Sequence, residues 1–85
     1  MDERASRLID YLLHSVVRRP GVTIEPDTPL VSSGLIDSFA LVEILLELEK
    51  VTERRIPAGR VSPEDMDTVA RMLQTADRVG KPRSG

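Results

Sequence analysis

Apolar residues recur every three or four positions in three stretches of this chain of 85 residues, and each stretch predicts a helix. The first helix is predicted from Ala5 to Val17, with Asp2 as its N-terminal cap. The breakers Pro20 and Gly21 would end it. Its apolar positions share one face and are Ala5, Leu8, Ile9, Leu12, Leu13, Val16 and Val17.

The second predicted helix runs from Ser38 to Glu53 and is apolar over most of its circumference. Such a helix lies at the centre of its bundle, or it presents part of its apolar surface to a partner. Its apolar residues form two adjacent stripes. They are Leu41, Ile44, Leu45, Leu48 and Val51 in the first, and Phe39, Val42 and Leu46 in the second.

Two elements are predicted near the C-terminus. The sequence "SPEDM" predicts one helical turn, with Ser62 as the cap and Pro63 at the first helical position. Asp67 is then expected to cap a last helix, which Gly80 ends. The apolar positions of that helix are Val69, Met72, Leu73, Ala76 and Val79.

Residues 20–37 form a long connection, in which three prolines and two glycines exclude a continuous helix. The connection is too apolar for a solvated linker, so we expect an ordered loop packed on the helices. We find no strand pattern. The fold class predicted is therefore all-α: a small four-helix bundle, three helices long and one short, with this loop between helices 1 and 2. The domain would span residues 1–79, followed by a disordered tail, residues 80–85.

The composition excludes several classes of protein. The chain has no cysteine, which excludes disulfides and thiolate zinc sites. No apolar run is long enough to span a membrane and no signal peptide is recognisable, so we expect a cytoplasmic protein without membrane contact. A net charge of −2 with two aromatic residues argues against nucleic-acid binding. Residues 37–53 carry a local net charge of −4, which favours a basic protein partner.

Catalytic and metal sites find little support. Ser38, His14 and Asp37 are the residue types of a hydrolase triad, but the chain has no G-x-S-x-G motif and no sheet to carry one. Glu43 and Glu47 are expected to be solvated helix residues rather than ligands of a cation. We therefore predict no catalytic residue, no metal site and no enzyme activity.

Ser38 admits two interpretations. Asp37 or Ser38 caps the second helix, a role that both residue types favour. Alternatively, a serine at a helix N-terminus is well placed to carry a phosphodiester, because the free N–H groups and the helix dipole favour an anion there. Gly34 would let the preceding loop turn tightly.

The stretch "GLIDSFALVEILLELE" resembles the prosthetic-group attachment site of the acyl carrier protein family. "PDTPL" upstream and "IPAGRVSPEDMDTVARML" downstream extend the resemblance over most of the chain. It implies that Ser38, flanked by Asp37, carries 4'-phosphopantetheine taken from coenzyme A. The thiol of this group would hold an acyl or aminoacyl cargo as a thioester.

The resemblance also implies partners. These are a phosphopantetheinyl transferase, a loading ligase or transferase and downstream biosynthetic enzymes, which would dock on Phe39, Val42, Glu43, Leu46 and Glu47. The sequence "GLIDSF" is most similar to discrete, stand-alone carriers, including D-alanyl and secondary-metabolite carriers, and we expect a monomer in secondary metabolism. The alternative is an unmodified helical protein-interaction module in which Ser38 is only a helix cap.

Overall fold

The helices of the computed structural model follow the apolar stripes of the sequence, and the structure describes residues 3–18 and 20–82. Helix α1 spans Glu3–Tyr11 and continues as a π-helix over Leu12–Val17. Two short 3-10 helices, Ala58–Arg60 and Pro63–Met66, lie between α2 and α3. The other elements are α2 (Ala40–Thr52), β1 (Arg54–Arg55), α3 (Val69–Val79) and β2 (Lys81–Pro82).

The core lies where the three helices meet. All five predicted positions of α3 are buried, as are most of those of α1, while Leu13 and Val16 pack against the core from its edge. From α2, the first predicted stripe supplies the buried residues Ile44, Leu48 and Val51. The helical faces predicted from the spacing of apolar residues are therefore confirmed.

The short elements differ from the prediction. The predicted single turn is present, capped by Ser62 and with Pro63 at its first position, but it is a 3-10 helix, Pro63–Met66, so the structure does not clearly form a four-helix bundle. The described residues also include an antiparallel pairing of β1 with β2, although we predicted no strand, because two residues are too few to show an alternating pattern. Part of the predicted tail, Lys81–Pro82, thus lies in a strand, whereas residues 83–85 lie outside the described residues, as does the predicted cap Asp2.

The long connection packs on the helices as expected. Ile24, Leu30 and Ile36 are buried in the common core. The backbone N–H of Ala70 donates to the carbonyl oxygen of Pro26 at 2.9 Å, which ties the first half of the loop to α3. The loop is thus part of the folded unit.

Asp67 does not cap the last helix, which corrects the prediction. Thr68 is the cap, because its backbone is extended and its Oγ1 accepts a hydrogen bond from the backbone N–H of Arg71 at 3.0 Å. Asp67 has a helical backbone conformation, and its carboxylate accepts hydrogen bonds from the long loop instead. The prediction was wrong because two residues with capping side chains stand side by side, and backbone conformation decides between them.

No helix in the described part of the chain is both long and apolar enough to cross a membrane.

Candidate functional site

Asp37 caps the start of α2. Its Oδ1 accepts a hydrogen bond from the backbone N–H of Ala40 at 3.0 Å, and its backbone oxygen accepts from the same group at 3.2 Å. The Leu41 N–H donates to the Ser38 carbonyl at 3.3 Å, so one tight turn precedes the regular helix. For this reason α2 begins at Ala40 rather than at Ser38, where the sequence predicted it. Of the two capping residues that the sequence left open, the structure selects Asp37.

The side chain of Ser38 has no structural partner. Ser38 is exposed, and within residues 3–18 and 20–82 its hydroxyl forms no hydrogen bond. The interpretation of Ser38 as a helix cap is therefore wrong. An exposed hydroxyl without an intramolecular acceptor is free to be modified without loss of a native interaction.

The turn before Ser38 directs it outward. Gly34 has φ +79°, which favours glycine, and its N–H donates to the Val31 carbonyl at 3.0 Å. The Ile36 N–H then donates to the Leu30 carbonyl at 3.0 Å, and the Ile36 side chain is buried. With Ile36 fixed in the core, the next two residues lie at the surface.

A groove of about 280 Å³ opens beside Ser38. One wall comes from α2 and the other from the segment that contains both 3-10 helices. The sequence did not reveal this groove, because its walls lie far apart along the chain and neither carries a motif. Its lining is mostly apolar and consists of Ser38, Leu41, Val42, Leu45, Ala58, Val61, Ser62, Pro63 and Met66.

The second apolar stripe of α2 lies at the surface. Phe39, Val42 and Leu46 are 89%, 67% and 56% exposed, which excludes the alternative that they pack in the core. Glu43 is exposed and Glu47 half-buried on the same side of the helix. We call these five residues the α2 surface. Three large apolar side chains on one helix face form a patch of the kind that binds other proteins.

The charge of the α2 surface comes from two carboxylates. Burial raises the pKa of Tyr11 in α1, and the negative charges of Glu43 and Glu47 raise it further. Glu49 is not available to a partner in the same way, since its Oε2 accepts a hydrogen bond from the Ile56 N–H at 2.7 Å. Glu43 and Glu47 form no ion pair with any residue that the structure describes.

The hydrolase and metal alternatives gain nothing from the structure. His14 donates from Nδ1 to the Asp10 carbonyl oxygen at 2.7 Å and does not hydrogen-bond Ser38. Over the described ranges, no group of three or more histidine or carboxylate side chains is arranged to hold a metal ion.

Residues 7–76 match the family model described as the phosphopantetheine attachment site, and the chain belongs to this family. It is similar to the D-alanyl carrier protein of Streptococcus uberis, with 33% identity over 48 residues, which cover 56% of this chain and 61% of that protein. It is also similar to D-alanyl carrier proteins of Streptococcus pyogenes, with 28% identity over 53 residues, covering 62% of this chain and 67% of those proteins. No solved structure matches.

Membership of this family implies a covalently attached 4'-phosphopantetheine. The residues at the start of α2 fit such a group. A free hydroxyl stands at the end of an ordered turn, the first turn of a helix lies behind it, and an apolar groove opens next to it.

Proposed function

We propose that this chain is an acyl or aminoacyl carrier protein and that Ser38 is the residue that bears the 4'-phosphopantetheine. The observation that carries the proposal is that Asp37 caps α2, which leaves the exposed Ser38 hydroxyl without a structural role. The prosthetic group supplies a terminal thiol, on which cargo is held as a thioester. The protein itself catalyses no reaction.

The residues of the chain have distinct roles in this proposal. Asp37 fixes the turn that presents the Ser38 hydroxyl, by its hydrogen bond to the Ala40 N–H. The N-terminal end of α2 stabilises the phosphodiester, because its dipole and its first N–H groups favour an anion. The groove beside Ser38 offers mostly apolar side chains on which the prosthetic group can lie.

The α2 surface is the proposed docking site for the phosphopantetheinyl transferase, the loading enzyme and the downstream enzymes. It begins at Phe39, the residue after Ser38, so a partner bound there also reaches the attachment point. An enzyme with apolar side chains flanked by lysine or arginine would match its apolar patch and its two carboxylates.

The class of cargo is inferred from the relatives of the chain. The curated relatives named above are D-alanyl carrier proteins, which favours a small aminoacyl cargo. The aligned segment spans only 61% of the first of them, so the cargo remains part of the proposal. We also propose, from the sequence, that the protein acts in secondary metabolism as a cytoplasmic monomer.

The proposal is tested by intact mass spectrometry after incubation with coenzyme A, magnesium and a promiscuous phosphopantetheinyl transferase. The wild-type chain should gain one phosphopantetheine group, and Ser38→Ala should gain none. Ser33→Ala is the matched control, because Ser33 is also exposed in the loop but its hydroxyl donates to the Pro29 carbonyl at 2.7 Å. No gain in the wild type, with a second carrier modified in parallel, would favour the unmodified interaction module.

Docking is tested separately by reversing the charge of the α2 surface. Replacing Glu43 and Glu47 by lysine should lower kcat/KM of transfer about tenfold at low salt, because like charges then repel a basic partner. The control variant replaces Glu25 and Asp27 by lysine, which reverses the same amount of charge at two exposed residues outside the groove and the α2 surface. If the double variant and the control were modified and loaded equally fast, the assignment of the docking site would be wrong.

A further inference from the structure

The side chain of Asp67 accepts four hydrogen bonds from the second half of the long loop. Its Oδ1 accepts hydrogen bonds from the backbone N–H groups of Leu30, Val31 and Ser32 at 3.2, 2.8 and 2.8 Å. Its Oδ2 accepts from the Ser32 hydroxyl at 2.9 Å. Bonds to a charged acceptor are stronger than bonds between neutral groups, so this carboxylate holds three successive residues firmly.

The tie extends from Asp67 almost to Ser38. The Leu30 N–H also donates to the backbone oxygen of Asp67 at 2.7 Å, while the Leu30 carbonyl accepts from the Ile36 N–H at 3.0 Å. Leu30 thus connects Asp67 to Ile36, which lies two residues before Ser38. Asp37, between them, caps α2.

Asp67 is joined through the backbone to the opposite wall of the groove. It directly follows Met66, which lines the groove together with Pro63. The residue that holds the loop is therefore fixed to the wall that faces Ser38. A shift of the loop relative to this wall would move Ser38 relative to the groove.

We propose that Asp67 is a positioning residue for Ser38: it holds Leu30 to Ser32 against the Pro63–Met66 helix and so fixes the attachment hydroxyl relative to the groove and the α2 surface. This inference rests on the proposed function, because it concerns the presentation of Ser38 to a modifying enzyme. It assigns to Asp67 a role at a distance, through the loop, and not a contact with the prosthetic group.

The test measures phosphopantetheine transfer to Asp67→Ala with the wild-type chain as reference. Loss of the carboxylate leaves the N–H groups of Val31 and Ser32 and the Ser32 hydroxyl without their acceptor, so that only the backbone bond from Leu30 still holds the turn before Ser38. If the ordered loop is then present in about one tenth of the molecules, the apparent affinity of the transferase falls about tenfold. We expect KM for the carrier to rise by this factor and kcat to change less than about twofold, because the ordered fraction is modified normally.

Two further variants separate positioning from stability. Asp67→Asn retains a carbonyl oxygen for the three N–H donors, so it should restore KM to within about threefold of the wild type. Thr68→Ala removes the cap of α3, the next residue along, but leaves the loop bound. It should lower the melting temperature without raising KM.

Hydrogen exchange gives a readout that does not depend on transfer. In Asp67→Ala the amides of Leu30, Val31, Ser32 and Ile36 should lose protection. The amide of Ala70, which donates to Pro26, should keep it. If Asp67→Ala does not fold, Ser32→Ala and Asp67→Asn carry the same comparison, since each weakens the tie in part.

The outcomes are distinguishable. The positioning role would be overturned by an unchanged KM in variants whose amides at residues 30–32 have lost protection from hydrogen exchange. It would also be overturned if KM rose equally in Asp67→Ala and Thr68→Ala. Failure of the wild type to accept the group would instead refute the proposed function, and the positioning role would fall with it.

Discussion

Replacing Asp37 by alanine should destabilise the unmodified protein, whereas replacing its neighbour Ser38 should not. Asp37 Oδ1 accepts the Ala40 N–H at 3.0 Å and provides a negative charge at the N-terminal end of α2. Loss of such a cap costs about 0.5–2 kcal/mol. In a domain of this size that corresponds to a fall in melting temperature of about 4–8 °C for each kcal/mol.

For Ser38→Ala we expect a change within about 0.5 kcal/mol, because the hydroxyl has no partner in the described structure and the residue is exposed. Asp37→Asn separates the two contributions of the cap. It keeps the acceptor oxygen but removes the charge, so it should lose only the dipole interaction, about 0.3–1 kcal/mol.

The assay is urea and thermal unfolding followed by circular dichroism, with all proteins checked by mass to be unmodified. Equal slopes of the urea transitions would show that the variants differ in stability alone. A Ser38→Ala variant as unstable as Asp37→Ala would refute the assignment of the cap, and with it the argument that the hydroxyl is free for modification.

Three further predictions concern the core, the α2 surface and the loop. Leu48 is fully buried and Leu46 is 56% exposed on the same helix, so alanine should cost about 2–5 kcal/mol at Leu48 and within about 0.5 kcal/mol at Leu46 in urea unfolding. Tyr11 is the only tyrosine and there is no tryptophan, so a titration followed by absorbance reports the pKa of Tyr11 directly. Changing Glu43 and Glu47 to glutamine should lower this pKa. An unchanged pKa would show that the two carboxylates do not act on the Tyr11 ring. Hydrogen bonds from Ser32 hold the pKa of Asp67 below its ordinary value against the opposing effect of burial. Its stabilisation is therefore complete above the unfolded pKa of about 3.9 and is lost as the pH falls through the folded value, so Asp67→Asn should flatten the acid decline in melting temperature.

The buried faces of the helices could be predicted from the sequence because their apolar residues recur at the helical spacing of three and four positions. Leu8, Leu48 and Met72 are all fully buried, and each lies in a stripe spaced at three and four residues. The β1–β2 pairing could not be predicted, since two residues carry no period. The hydrogen bonds that residues 30–32 donate to Asp67 could not be predicted either, because donor and acceptor lie more than 30 positions apart and leave no local signal in the sequence.

The candidate site was predicted only in part, for a physical reason. A helix that is apolar over most of its girth does not reveal which apolar side faces the core, so the exposure of Phe39 needed the structure. The Asp37-Ser38 pair presented a second ambiguity, because both side chains can accept from the same turn. The positions of both backbones relative to Ala40 decide which one does.

The division of roles between Asp37 and Ser38 has a consequence for the modified protein. If Ser38 were the cap, esterification would convert its hydroxyl oxygen into a poorer acceptor, and each modification would weaken the start of α2. Because the Asp37 carboxylate caps instead, Ser38, the proposed attachment point, could bear or lose the group while the helix keeps the same first turn. The α2 surface, which we propose as the docking site, begins one residue beyond Ser38, so an unchanged first turn would keep this surface the same before and after modification. Under the proposed function, Asp37 thus stabilises the helix while Ser38 carries the group, and modification leaves the cap intact, which a single capping serine would not allow.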